Sequence, residues 1–340
     1  MTNIPFSLPN FLFSIFSFYS SHAMSNIPQH NPNILKICNN KKTALFSGMK
    51  TDTLRMDIKT IAFYLQDGVE VLDFAGPMEV FSYAGYKIFT VSKTKDFILS
   101  QGILKILPDY DISDSPGADM VVFFGGNSDA FLDKELIRWV NSMKNVKYHF
   151  SVCTGAFMLA ESGVLDGLKA TTFHSSLNSL EERFPKIEVL RDVRFVDNGK
   201  VITTAGISAG IDGALHMVAK FQGLSQARRV AYLMEYDSWI PGNGIVVGDN
   251  PYLNVRKEND FQEYWGSYQV LNDKNLFIEK GIKGGELTAV VNSKKMPLFY
   301  VKKDKFFTGD GKPVLFKRDS IHKIIGYTLN EKGILFRKED

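Results

Sequence analysis

An α/β domain on a mainly parallel sheet, followed by a smaller all-β domain, is predicted from three observations. Short β-prone runs alternate with helical patterns from about residue 57 to residue 237. One of these runs, at 119–124, is apolar on both faces, as a central parallel strand must be. Beyond residue 260 the helical patterns stop, and turn signals recur every few residues between β-prone stretches.

In chain order, residues 1–55 read as a leader or disordered arm. They open on a phenylalanine-rich stretch with no Lys or Arg before Lys36, and continue as a polar, aperiodic run. Met24, Met49 and Met56 are alternative starts. Residues 56–238 form the α/β domain. Its first strand, 60–65, ends at Asp67-Gly68. A helix follows over 74–85, with Asp73 as its N-cap and Gly76-Pro77 in its first turn. Residues 87–91 are a strand, and 98–107 alternate like one or two short ones. The strand at 119–124 ends in Gly125-Gly126, and a helix covers 130–143. The strand at 148–152 runs directly into a helix at 155–162, and another helix covers 176–184. Short strands at 188–190, 194–196 and 200–203 precede helices at 209–221 and 225–237. Residues 239–259, with Pro241, Gly242, Gly244, Gly248 and Pro251, read as a linker, and 260–340 as the β-rich domain.

Composition excludes several functions. Forty basic residues against 37 acidic ones, an excess of three, are too evenly balanced to suggest a nucleic-acid or anionic-membrane partner. Cys38 and Cys153 are too few for a disulfide framework or a multi-cysteine zinc site. No apolar run approaches the roughly 18 residues of a membrane span. In parallel sheets ligands bind beyond the carboxyl ends of the strands, and three of those ends carry chemistry: Asp67 to Asp73, Gly125-Gly126, and Cys153.

The most informative stretch is His149-Phe150-Ser151-Val152-Cys153-Thr154-Gly155-Ala156. A strand ends in a cysteine and a small-residue helix begins at once, which places Cys153 on a strained strand-to-helix elbow. A helix start lowers a thiol pKa and offers N–H groups to an oxyanion, so an ionised, nucleophilic Cys153 is expected. The alternative is a buried structural cysteine. Asp73 is likewise either a helix cap or an acid, Glu79 a second acid or a solvated residue, and His174 and His216 packing residues in the first instance.

Three blocks resemble the ThiJ/PfpI superfamily, whose fold is of the class I glutamine amidotransferase type. They are Leu72-Asp73-Phe74-Ala75-Gly76-Pro77, then Ser151–Ala156 with Leu165-Asp166-Gly167-Leu168, and Ala205-Gly206-Ile207-Ser208-Ala209-Gly210-Ile211-Asp212. Within the superfamily they look most like the isonitrile hydratase branch, and also like the sensory half of some transcription regulators. The resemblance implies a flavodoxin-like sheet sandwiched by helices, a homodimer, and a small-molecule substrate handled without metal or organic cofactor. It implies Cys153 as nucleophile, Asp73 as general acid and base, and N–H groups of Thr154, Gly125 and Gly126 around an oxyanion. The branch carries Thr-Thr-His-Trp where this chain has Thr171-Thr172-Phe173-His174, so its histidine is displaced by one position. A thiol-based stress protein is a further alternative, although that branch uses glutamate where Asp73 stands. A reactive lone thiol suits a reducing cytoplasm, with export by an atypical signal left open. The C-terminal portion, from Tyr264-Trp265-Gly266 to Gly326-Tyr327, resembles the small β module appended to serine β-lactamase-like proteins.

Overall fold

The computed structural model describes residues 58–253, 256–270 and 274–339. The expectations placed on residues 1–55, Cys38 included, lie outside the described residues.

The first half lays down β1 (Thr60–Tyr64), α1 (Val71–Tyr83), β2 (Lys87–Ser92), the hairpin strands β3 (Ile98–Ser100) and β4 (Leu104–Ile106), β5 (Tyr110–Asp111) and β6 (Met120–Phe123). After α2 (Lys134–Ser142) come β7 (Tyr148–Ser151), α3 (Ala156–Glu161), β8 (Lys169–Ala170), α4 (Leu177–Arg183), β9 (Glu188–Val189), β10 (Phe195–Asp197) and β11 (Val201–Thr204). Then follow α5 (Ala209–Gln222), α6 (Leu224–Leu233) and β12 (Ile245–Val246).

Eight of these strands form one sheet in the order β12-β10-β11-β7-β6-β1-β2-β5. Neighbours are parallel except β10 and β11, which pair antiparallel. Strands β6 and β11 are buried throughout, because helices cover both faces. Phe63, Val80, Phe81, Phe124, Phe150 and Leu215 build one core between the sheet and α1, α5 and α6. Tyr64, Phe123, Trp139, Phe157 and Leu180 build the other, against α2, α3 and α4. The chain leaves β1 for β2 on one side and returns to β6 on the other, the topology that in such sheets places a ligand crevice beyond the carboxyl ends. Gln66–Glu70, Gly125 and Cys153 follow the carboxyl ends of β1, β6 and β7.

Several boundaries differ from the sequence reading. The first helix starts at Val71 rather than residue 74, so Asp73 stands inside its first turn and Pro77 well within the helix. Glu70 occupies the N-cap without a side-chain capping bond. The expected helix at 130–143 is a 3₁₀ turn, Ser128–Leu132, then α2, which Asp133 caps by accepting from the N–H groups of Glu135 and Leu136. The stretch read as a linker contributes β12 to the sheet edge.

The C-terminal strands are β13 (Gly266–Val270), β14 (Lys274–Lys280), β15 (Leu287–Val291), β16 (Lys294–Lys302), β17 (Lys305–Thr308), β18 (Pro313–Arg318), β19 (Ile324–Thr328) and β20 (Phe336–Arg337). Each pairs antiparallel with the next, and a bridge between Tyr268 and Lys338 brings the last strand back to the first. The result is a nearly closed barrel around Tyr264, Tyr268, Phe306, Phe316 and Tyr327. Helix α6 touches it directly. Ser225 donates to Glu286, Arg228 Nη1 lies 3.2 Å from the same carboxylate, and the Tyr232 ring is 5.7 Å from that of Phe299. Its Ala227, Val230 and Ala231 belong to the core of the α/β domain.

Candidate active site

Cys153 follows β7 by two residues and has φ +58°, a left-handed conformation that costs a non-glycine residue about 1–3 kcal/mol. The surroundings hold it there. Its N–H donates to Ala205 O at 3.1 Å, and its carbonyl accepts from Thr172 Oγ1 at 2.7 Å. A 3₁₀ turn, Cys153–Gly155, then leads into α3. Gly155 is required because a Cβ there would run into the Phe123 carbonyl. The strained elbow expected from Cys153-Thr154-Gly155 is therefore present.

Asp73 enters from α1 and is completely buried. Its Oδ2 accepts from the Gly125 N–H at 2.9 Å, while its Oδ1 has no hydrogen-bond partner. Gly125 packs against both the carboxylate and the thiol, which hydrogen-bond to each other: a Cβ on it would fall 2.8 Å from both Asp73 Oδ2 and Cys153 Sγ. Burial pushes the Asp73 carboxyl up to about 7, and the charge of Glu70 adds to this. The N–H groups of Gly125 and Ile207 and the Cys153 side chain pull in the opposite direction.

The ionised resting thiol expected from the helix start is not what the structure holds. Burial pushes Cys153 up to about 12, and the Asp73 charge raises it further. The N–H groups of Thr154 and Ile207 only partly offset this. Cys153 is 7% exposed, and desolvation outweighs the field of one short turn. The arrangement is a protonated thiol beside a carboxyl that titrates near neutrality.

The remaining candidates separate clearly. Thr154 turns its N–H toward the sulfur. The Gly125 N–H is already committed to Asp73, so it is not the free oxyanion donor the resemblance implied. Gly126, at φ +135°, crowds the Gly68 carbonyl and needs to be glycine. Glu79 is half-buried further along α1. His174 is exposed, in the turn His174–Ser176; the ring that packs against Gly206, where a Cβ would clash, is that of Phe173. His216 is fully buried, with Nε2 2.8 Å from Asp197 and Nδ1 2.9 Å from the Tyr252 hydroxyl. Residue-level reasoning missed Gln66, Glu70, Thr172 and Ile207. Ile207 lay inside a matching block, but nothing in its side chain announces a backbone donor. Among the described residues no group of three or more His, Cys, Asp or Glu converges as a metal site would require. No described helix is long and apolar enough to cross a membrane.

A family model described as DJ-1/PfpI family matches residues 59–220. The isonitrile hydratase of Pseudomonas putida is 32% identical over 183 residues, 52% of this chain and 78% of that protein. The HTH-type transcriptional regulator GbdR of Pseudomonas aeruginosa (strain UCBPP-PA14) is 23% identical over 188 residues, covering 53% of this chain. The match spans only about half (51%) of the regulator's own length. Among solved structures, a ThiJ/PfpI family protein from Pseudomonas syringae is similar with a TM-score of 0.51 and 26% identity, covering 69% of this chain and 88% of that one. On its fold, its elbow cysteine and these similarities, the chain belongs to the DJ-1/PfpI family.

Proposed function

We propose that the chain is a cysteine-dependent hydratase acting on a carbon–nitrogen bond of small isonitriles, with Cys153 and Asp73 carrying the reaction. The observation that supports this reading is a buried thiol beside a carboxyl held at about 7. Similarity to an isonitrile hydratase over most of that protein's length adds to it. The Asp73 carboxylate takes the thiol proton as sulfur attacks the terminal isonitrile carbon. The resulting carboxylic acid returns that proton to the same carbon, giving a thioimidate on Cys153. Water then adds to this carbon: one proton passes through Asp73 to nitrogen, and collapse expels the thiol and releases an N-substituted formamide. The sum is isonitrile plus water, and no other reactant enters.

The test is formamide release from a small alkyl isonitrile, followed by mass spectrometry. Cys153→Ala abolishes it, and Asp73→Asn lowers kcat/KM by about 10²–10⁴, the usual contribution of a general acid–base group. Because one proton must be shared by the pair, kcat/KM climbs through about pH 7 and falls again toward pH 12. An undiminished Asp73→Asn variant overturns the assignment. A homodimer is proposed on the family resemblance; light scattering at the 38.3 kDa mass of one chain overturns it.

A second reading, a non-catalytic small-molecule sensor using the same pocket, is supported by the similarity to a transcriptional regulator and by the weakly acidic thiol. It requires tight binding without turnover, retained in Cys153→Ser. The same protonated thiol argues against rapid peroxide chemistry, which runs through thiolate.

A further inference from the structure

Gln66 lies just beyond β1 and is 4% exposed, an unusual place for a side-chain amide. Its Nε2 donates to Phe124 O at 2.9 Å and to Gly125 O at 3.3 Å. The Phe124 carbonyl and the Gly125 N–H belong to one peptide group. That group is planar and trans, so holding its oxygen aims its N–H, and this N–H donates to Asp73 at 2.9 Å. Glycine is obligatory at 125, because a Cβ would strike both the carboxylate and the thiol. Glycine is also the residue least able to fix its own backbone. An outside group has to do so, and Gln66, with the Glu70 N–H on Gly125 O at 3.1 Å, is placed for it.

We propose that Gln66 is a positioning residue for Asp73, its amide holding the Phe124–Gly125 peptide so that the Gly125 N–H stays on the carboxylate. The proposal rests on the reading of Asp73 as the acid–base group of the site. Donation into the Phe124 carbonyl also polarises the peptide and strengthens its N–H as a donor. The groups that bear on Asp73 are the Glu70 carboxylate, the Cys153 thiol, and the N–H groups of Gly125 and Ile207. Of these, Gln66 acts through the Gly125 N–H.

The test is the titration of Asp73 in the full chain by carboxyl carbon NMR, which needs no turnover. Gln66→Met keeps length and removes both donors. Asp73 then titrates roughly half to one pH unit higher than in the parent protein, the size expected for losing one charge-assisted hydrogen bond. The acid limb of kcat/KM moves up by the same amount. Gln66→Glu, whose protonated form regains a donor, shifts Asp73 less. A merely structural glutamine lowers the melting temperature and leaves the Asp73 titration alone, and that result overturns the proposal. If Gln66→Met does not fold, Gln66→Leu, which also lacks the donor and adds no charge, takes its place: an upward shift of Asp73 supports the proposal and an unshifted Asp73 overturns it. A shifted Asp73 in a protein that hydrates no isonitrile sinks the catalytic reading and leaves the positioning role standing.

Discussion

Asp73 and Asp197 are both completely buried, yet their environments drive them in opposite directions. Asp73 meets only neutral donors, the Gly125 and Ile207 N–H groups and the Cys153 thiol, and burial leaves it near 7. Asp197 also suffers burial, but His216 at 2.8 Å, Lys220 at 2.7 Å and the Gly199 N–H at 2.7 Å outweigh it. Its carboxyl is held below the usual range. Burial alone therefore does not decide a carboxyl's state; the presence of a counter-charge does. One aspartate is a fixed anion that locks β10 to α5. The other is poised to exchange a proton.

The largest expected effect falls on the locked carboxylate. Asp197→Ala leaves Lys220 and His216 without their anion and costs about 3–5 kcal/mol in urea unfolding at neutral pH. A loss below about 1 kcal/mol would mean that the cluster is solvated and the contrast false. Because the Asp197 pKa is lowered, its contribution is present above the unfolded carboxyl pKa and fades on acidification. The penalty of the variant shrinks accordingly in acid.

The sign reverses at Asp73. Its folded pKa of about 7 lies above the model-peptide value of 3.8, so stability is full below the latter and is lost as pH rises through 7. Asp73→Asn, which carries no charge, matches the parent protein in acid and exceeds it at pH 8 by at most about 4 kcal/mol, taking 1.4 kcal/mol per pH unit. Melting curves that run parallel from pH 4 to pH 8 would remove the contrast. The smallest effect concerns the thiol. The Asp73 charge raises it, so Asp73→Asn lowers the Cys153 pKa, read from ultraviolet thiolate absorbance. The value stays well above that of an ordinary cysteine, because burial is the larger cause.

The parallel sheet was legible because β6 and its neighbours are apolar on both faces, and the elbow because Cys153-Thr154-Gly155 allows little else. The pairing of Asp73 with Cys153 came from family-like blocks rather than from any local pattern. The start of α1 was misplaced because Glu70 caps without a side-chain bond and so leaves no signal in the sequence. Strands as short as β5, β8 and β12 carry no period to detect. The protonated thiol was out of reach for a different reason. A helix start can be read locally, whereas the depth of burial depends on elements far apart in the chain. Gln66 carries no local signal of its role, since its partners lie 58 and 59 positions away.

Helix α6 has a consequence for how the molecule comes apart. Ala227, Val230 and Ala231 are committed to one hydrophobic core, while Ser225, Arg228 and Tyr232 grip the barrel. A segment shared in this way cannot melt in one half without loosening the other. The two halves should thus lose structure in a single cooperative transition, and damage to the barrel should be felt at the crevice as a change in its lifetime rather than in its shape.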